Sequence, residues 1–97
     1  KLCAGFQIHV VDRGAFRPCR CALALLAAVW RLYRQDVAWK PPPYEYETEK
    51  APIDIIFGDG RLREKIDAGA GFSDLIDGWE ADEAEFERVR RPYLLYE

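Results

Sequence analysis

The stretch Cys3-Ala-Gly-Phe-Gln-Ile-His-Val-Val-Asp-Arg13 decides how this chain is read. Side chains alternate across a strand, so Phe6, Ile8 and Val10 would share one face and Gln7, His9 and Val11 the other. The pattern predicts a strand that ends at the turn signal Asp12-Arg13-Gly14. It also sets the chain's only histidine beside a glutamine on one face. Either His9 is a satisfied core residue, or that face lines a site.

Downstream of the turn the pattern changes period. Pro18 suits the first turn of a helix, where its missing N–H costs nothing. Cys19, Ala22, Leu23, Leu26, Val29, Trp30 and Tyr33 recur at three and four residues, which predicts a buried stripe on a helix over 18–34. Leu25, Ala28 and Leu32 add apolar surface on a second side. Lys40-Pro41-Pro42-Pro43 cannot be helical, and with Tyr44-Glu45-Tyr46-Glu47 it predicts a stiff extended arm or edge strand. The arm's aromatics either clamp down on the body or line a ligand groove.

Pro52 opens a short helical turn that Gly58 can close in the left-handed conformation. Asp59 then caps a helix over 60–68, ended by Gly69. Ser73 is expected to cap a last helix over 73–90 that carries Leu75, Ile76, Trp79, Phe86 and Val89 at helical spacing, with its acidic residues on the wet side. Pro92 breaks it, and Tyr93-Leu94-Leu95-Tyr96 is expected to dock on the body. The sum is an α+β fold class: a small sheet built on the first strand, covered by the two longer helices and short helical turns.

At 97 residues the chain suits one domain. It is 49% apolar, 13% aromatic and 32% charged, as a folded globular chain is. Fourteen basic and 17 acidic residues are interleaved, giving a net charge of −3 without a cationic footprint, so nucleic acid is not an expected partner. The longest apolar run, Cys21 to Trp30, falls well short of the roughly 20 residues a membrane span needs. The chain contains no methionine and begins close to its first strand, which predicts a piece of a longer polypeptide. A strand without its upstream neighbours would leave an edge open to another copy, so self-association is expected.

No G-x-S-x-G elbow, phosphate loop or H-E-x-x-H is present. Cys3, Cys19 and Cys21 read as small apolar packing residues; a metal site from Cys19 and Cys21 with Cys3 and His9 is the sharper alternative, although zinc sites usually show two ligand pairs at wider spacing. No metal or other cofactor is expected. Asp54, between Ile53 and Ile55, is the carboxylate with the best claim to a special role, against the plainer one of satisfying backbone N–H groups or an arginine.

Five segments in order, GFQIHVVDRGAFRP, ALALLAAVWRLY, PPPYEYE, PIDIIFGDGRLREKIDAG and RRPYLLY, resemble the C-terminal portion of bacterial NamZ-type exo-β-N-acetylmuramidases over essentially the whole chain. The resemblance implies that residues 1–97 are part of a C-terminal auxiliary domain whose upstream strands are absent. It implies as partner an N-terminal Rossmann-like domain bearing the catalytic glutamate, so no catalytic residue is assigned to this chain. The implied activity is removal of N-acetylmuramic acid from the non-reducing end of peptidoglycan fragments, in the periplasm or outside the cell. On that basis Gln7, His9, Asp54, Tyr44 and Tyr46 are the candidate substrate-binding residues, since sugar sites combine aromatic surface with fixed polar groups. The rival reading is a non-enzymatic module that binds a glycan or a protein.

Overall fold

The computed structural model describes residues 4–96. Five α-helices follow one another: α1 (Pro18–Leu32), α2 (Pro52–Phe57), α3 (Gly60–Asp67), α4 (Phe72–Leu75) and α5 (Trp79–Arg90), with a 3₁₀ turn over Arg91–Tyr93. Among the described residues there is no sheet, and the expected α+β architecture gives way to a helical one. The only bridge among the described residues is an antiparallel pair between Tyr44 and Glu47.

The first strand fails for want of a partner. Residues 4–10 carry no regular structure, and Phe6, Ile8 and Val11 are 76%, 53% and 98% exposed. Alternation alone does not make a strand; its N–H and C=O groups need a second strand, and even an isolated pair is marginal in water. The other extended candidate, the arm at 44–47, closes on itself: Tyr44 N donates to Glu47 O at 2.9 Å and Glu47 N to Tyr44 O at 3.0 Å. It is a tight turn rather than an edge strand, and Glu45 occupies the left-handed region at φ 52°.

Local punctuation sets the helices. Pro18 and Pro52 stand in the first turns of α1 and α2. Gly58 (φ 73°) closes α2, and the Asp59 carboxylate accepts from Arg61 N at 2.9 Å to start α3. The expected single helix over 73–90 is two. Gly78, at φ 83°, interrupts it, and Gly71 rather than Ser73 takes the cap position of α4, its N–H donating to Asp74 Oδ2 at 3.2 Å.

The core lies where α1, α3 and α4 meet: Leu23, Trp30, Leu62, Ile66 and Leu75 are buried, and Leu26, Val37, Trp39, Phe57, Ile76 and Trp79 pack against them. Burying each of these leucines contributes about 1.5–3 kcal/mol. Past the break at Gly78, only the first residue of α5, Trp79, packs against this core. No residue of α5 is buried, Phe86 and Val89 are exposed, and the apolar tail lies open, with Tyr93, Leu95 and Tyr96 each more than 80% exposed instead of docked. Arg20 reaches from α1 to Glu80 and Glu83 at 3.7 and 3.4 Å, contacts of the exposed kind that stabilise by about 1 kcal/mol at most. The radius of gyration, 16.5 Å, exceeds the roughly 12.5 Å expected of a compact chain this long.

Candidate functional site

The five residues expected to face a sugar stand on three segments: the N-terminal stretch, the turn at 44–47 and α2. Gln7 and His9 are exposed on the N-terminal segment, Tyr46 is fully exposed at the turn, and Tyr44 is half-buried with Lys40 Nζ 5.9 Å from its ring centroid. Among the described residues no hydrogen bond or ion pair joins any two of these side chains to each other. Asp54 is engaged elsewhere: Arg63 Nε donates to its two oxygens at 2.8 and 3.1 Å.

That pair opens a polar relay that the sequence does not reveal. Arg63 and Asp67 lie one turn apart on α3, with Arg63 Nη1 3.8 Å from Asp67 Oδ2. Asp67 Oδ1 accepts from Trp39 Nε1 at 2.9 Å and lies 3.9 Å from Arg34 Nη2. The Trp39 ring stacks on Trp30, centroids 4.1 Å apart, and the Arg34 guanidinium lies 4.7 Å from the Trp30 centroid, a cation–π distance. The hydrogen bond that Arg63 donates to Asp54 raises the Arg63 pKa above its ordinary value, so this cation is permanent. No hydroxyl or thiol among the described residues bonds to the relay, and a nucleophile with a positioned base is therefore not what it offers. It fixes α1, α2, α3 and the loop carrying Trp39 in one arrangement.

Beside the relay runs a cleft of about 360 Å³ between α1 and the α3–α4 connection. Ala24, Ala27 and Ala28 line it from α1 and the glycines and alanines of 68–71 from the α3–α4 connection, and Trp30, Ile66 and Phe72 complete its apolar lining. Arg31, Arg34 and Asp67 supply its charges. In the sequence the cleft's alanines read as ordinary helix filler, and Trp39 reaches the relay from a loop. The i,i+4 spacing of Arg63 and Asp67 was the one readable sign of the relay.

Cys19 is exposed and Cys21 half-buried, both free, while Cys3 lies outside the described residues. Among the described residues no three His, Cys, Asp or Glu side chains gather where they could hold a metal ion.

The family model for the C-terminal region of the exo-beta-N-acetylmuramidase NamZ matches residues 1–96. The chain belongs to the NamZ C-terminal family. It is similar to the peptidoglycan beta-N-acetylmuramidase NamZ of Bacillus subtilis strain 168, 28% identical over 95 residues. The match covers 98% of this chain and 21% of the relative, so the chain spans about a fifth of that protein's length. No solved structure matches the chain. No helix among the described residues is long and apolar enough to cross a membrane.

Proposed function

We propose that this chain is the auxiliary, cleft-shaping part of a peptidoglycan exo-β-N-acetylmuramidase. The observation that carries the reading is membership of the NamZ C-terminal family over residues 1–96, supported by the likeness to a peptidoglycan muramidase. Glycoside hydrolysis generally needs two carboxylates flanking the scissile bond; in this proposal an N-terminal Rossmann-like domain of the longer polypeptide supplies the acid/base chemistry. The 97-residue chain contributes surface and orientation. Its exposed Gln7 and His9 reach the muramyl unit, Tyr44 and Tyr46 offer aromatic surface, and Asp54, locked by Arg63, closes the polar side.

The test is release of N-acetylmuramic acid from peptidoglycan fragments. The chain alone should release none above a buffer control, because general acid/base catalysis requires a carboxylate positioned within hydrogen-bond reach. The longer polypeptide should release it. Hydrolysis by the isolated chain, or none by the longer polypeptide, overturns the proposal.

The exposed apolar residues of α5 and the tail, Phe86, Val89, Leu95 and Tyr96, favour a second reading, a module that binds a protein or another copy of itself without catalysis. Apolar side chains left exposed in number can recruit a partner where they form a patch. In this reading the chain self-associates on its own. Light scattering over a dilution series distinguishes the two, since a monomer at every concentration removes the self-associating form.

A further inference from the structure

We propose that the cleft between α1 and the α3–α4 connection is a binding site for a carboxylate-bearing ligand, with Arg31 as the group that grips the carboxylate. At about 360 Å³ the cleft falls within the range of small-molecule sites, enough for one sugar ring or a short peptide. Its lining sets two guanidiniums, Arg31 and Arg34, against one carboxylate, Asp67, on a chain whose net charge is −3.

The two arginines are not equivalent. Arg34 is committed, lying over Trp30 and 3.9 Å from Asp67, and Asp67 is itself shared with Trp39 and Arg63. Arg31 has no ion pair or side-chain hydrogen bond among the described residues, although it lines the cleft. A basic residue in the last turn of α1 suits the helix dipole, but that leaves all five guanidinium donors open. A planar guanidinium matches a carboxylate with two parallel hydrogen bonds. The alanines and glycines keep the walls low, so a ligand backbone or ring can lie close, and Phe72, 39% exposed, offers it an apolar face.

Which carboxylate is meant rests on the muramidase reading: peptidoglycan presents one on the lactyl ether of muramic acid and others on the stem peptide. Calorimetric titration of the 97-residue chain separates them with three probes. N-acetylmuramic acid carries the lactyl carboxylate, the dipeptide L-alanyl-D-glutamate carries stem carboxylates, and N-acetylglucosamine is the sugar ring without either. We expect saturable binding of at least one carboxylate probe, with a Kd of about 1 mM or tighter, and binding of N-acetylglucosamine at least tenfold weaker. Which probe binds identifies the source.

Arg31→Gln should weaken binding tenfold or more with the circular dichroism spectrum unchanged, as should Ala28→Leu, which fills the cleft three residues before Arg31 on the same helix face. The proposal is overturned if neither carboxylate probe saturates, if N-acetylglucosamine binds equally well, or if Arg31→Gln leaves the affinity unchanged. The titration involves no turnover. Its failure therefore leaves the muramidase reading standing, and failure of hydrolysis by the longer polypeptide leaves the cleft result standing.

Discussion

The indole rings of Trp30 and Trp39 stack with centroids 4.1 Å apart and planes inclined by 18°, yet only one of the two N–H groups has a partner. Trp39 Nε1 donates to Asp67 at 2.9 Å; Trp30 Nε1 is buried without an acceptor. A buried donor left unmade costs about 1–3 kcal/mol, and a hydrogen bond to a charged group contributes about 1.5–3 kcal/mol. The two rings look alike and should respond differently to the same change.

Trp39→Phe removes the donor from Asp67, whereas Trp30→Phe removes a donor that has no acceptor. Both lose comparable ring area. Denaturant unfolding should therefore show Trp39→Phe to be the more destabilising by about 1 kcal/mol. Equal losses, or the reverse order, would mean that the Trp39–Asp67 bond contributes nothing net.

Gly78 separates α4 from α5 at φ 83°, and a Cβ built there meets nothing within 4 Å. Any cost of Gly78→Ala is thus backbone strain rather than collision, about 1–2 kcal/mol for a left-handed alanine. Gly5, also in open space and without a positive φ, is the control: Gly5→Ala should change stability by no more than about 0.5 kcal/mol. Thermal melts of the two variants check the difference. A Gly78→Ala melt indistinguishable from that of Gly5→Ala would place the helix break elsewhere.

Much of the helical half of this fold was legible because its signals are local. Pro18, Pro52, Gly58 and Asp59 each act on their own backbone neighbours, and each stands where its chemistry suggested. The strand at 4–11 was not, because alternation of Phe6, Ile8 and Val10 reports which faces could be buried and says nothing about a pairing strand. Extending one helical phase through Gly78 sets Phe86 and Val89 in register with Leu75, Ile76 and Trp79, and a single left-handed residue breaks that phase. The Trp30–Trp39 stack and the contacts of Asp67 with Trp39 and Arg34 join segments that no periodicity connects. Apart from the i,i+4 spacing of Arg63 and Asp67, the relay is therefore visible only in three dimensions.

The acid limb of stability should carry the mark of Asp59. The side-chain hydrogen bond from Arg61, and then the backbone N–H of Arg61, hold its carboxyl below the ordinary value. A depressed carboxylate pKa stabilises the fold above the unfolded-state pKa, near 3.9 for aspartate, and that stabilisation is lost as the pH falls through the folded-state value. The advantage of the native chain over Asp59→Ala should be full at neutral pH and shrink as the solution is acidified below about pH 4. Melts of the two proteins from neutral to strongly acidic pH test this, and a gap that stays constant throughout would separate the cap from its charge.

Gln7 and His9 supply the last prediction. Both are exposed, and neither donates to or accepts from another described side chain, so neither substitution leaves a buried partner unpaired. Gln7→Ala and His9→Ala should each change the unfolding free energy by no more than about 0.5 kcal/mol, the ordinary range for surface positions. If these side chains meet the muramyl unit in the longer polypeptide, their loss must appear in kinetics instead. A hydrogen bond realised at the transition state and removed lowers kcat/KM about tenfold, which is about 1.4 kcal/mol. Melts and muramidase kinetics on the same two variants, made in the longer polypeptide, read both quantities at once. Unchanged kcat/KM alongside unchanged melting would strip Gln7 and His9 of any substrate contact, and a large fall in melting temperature would show that the longer polypeptide buries this segment.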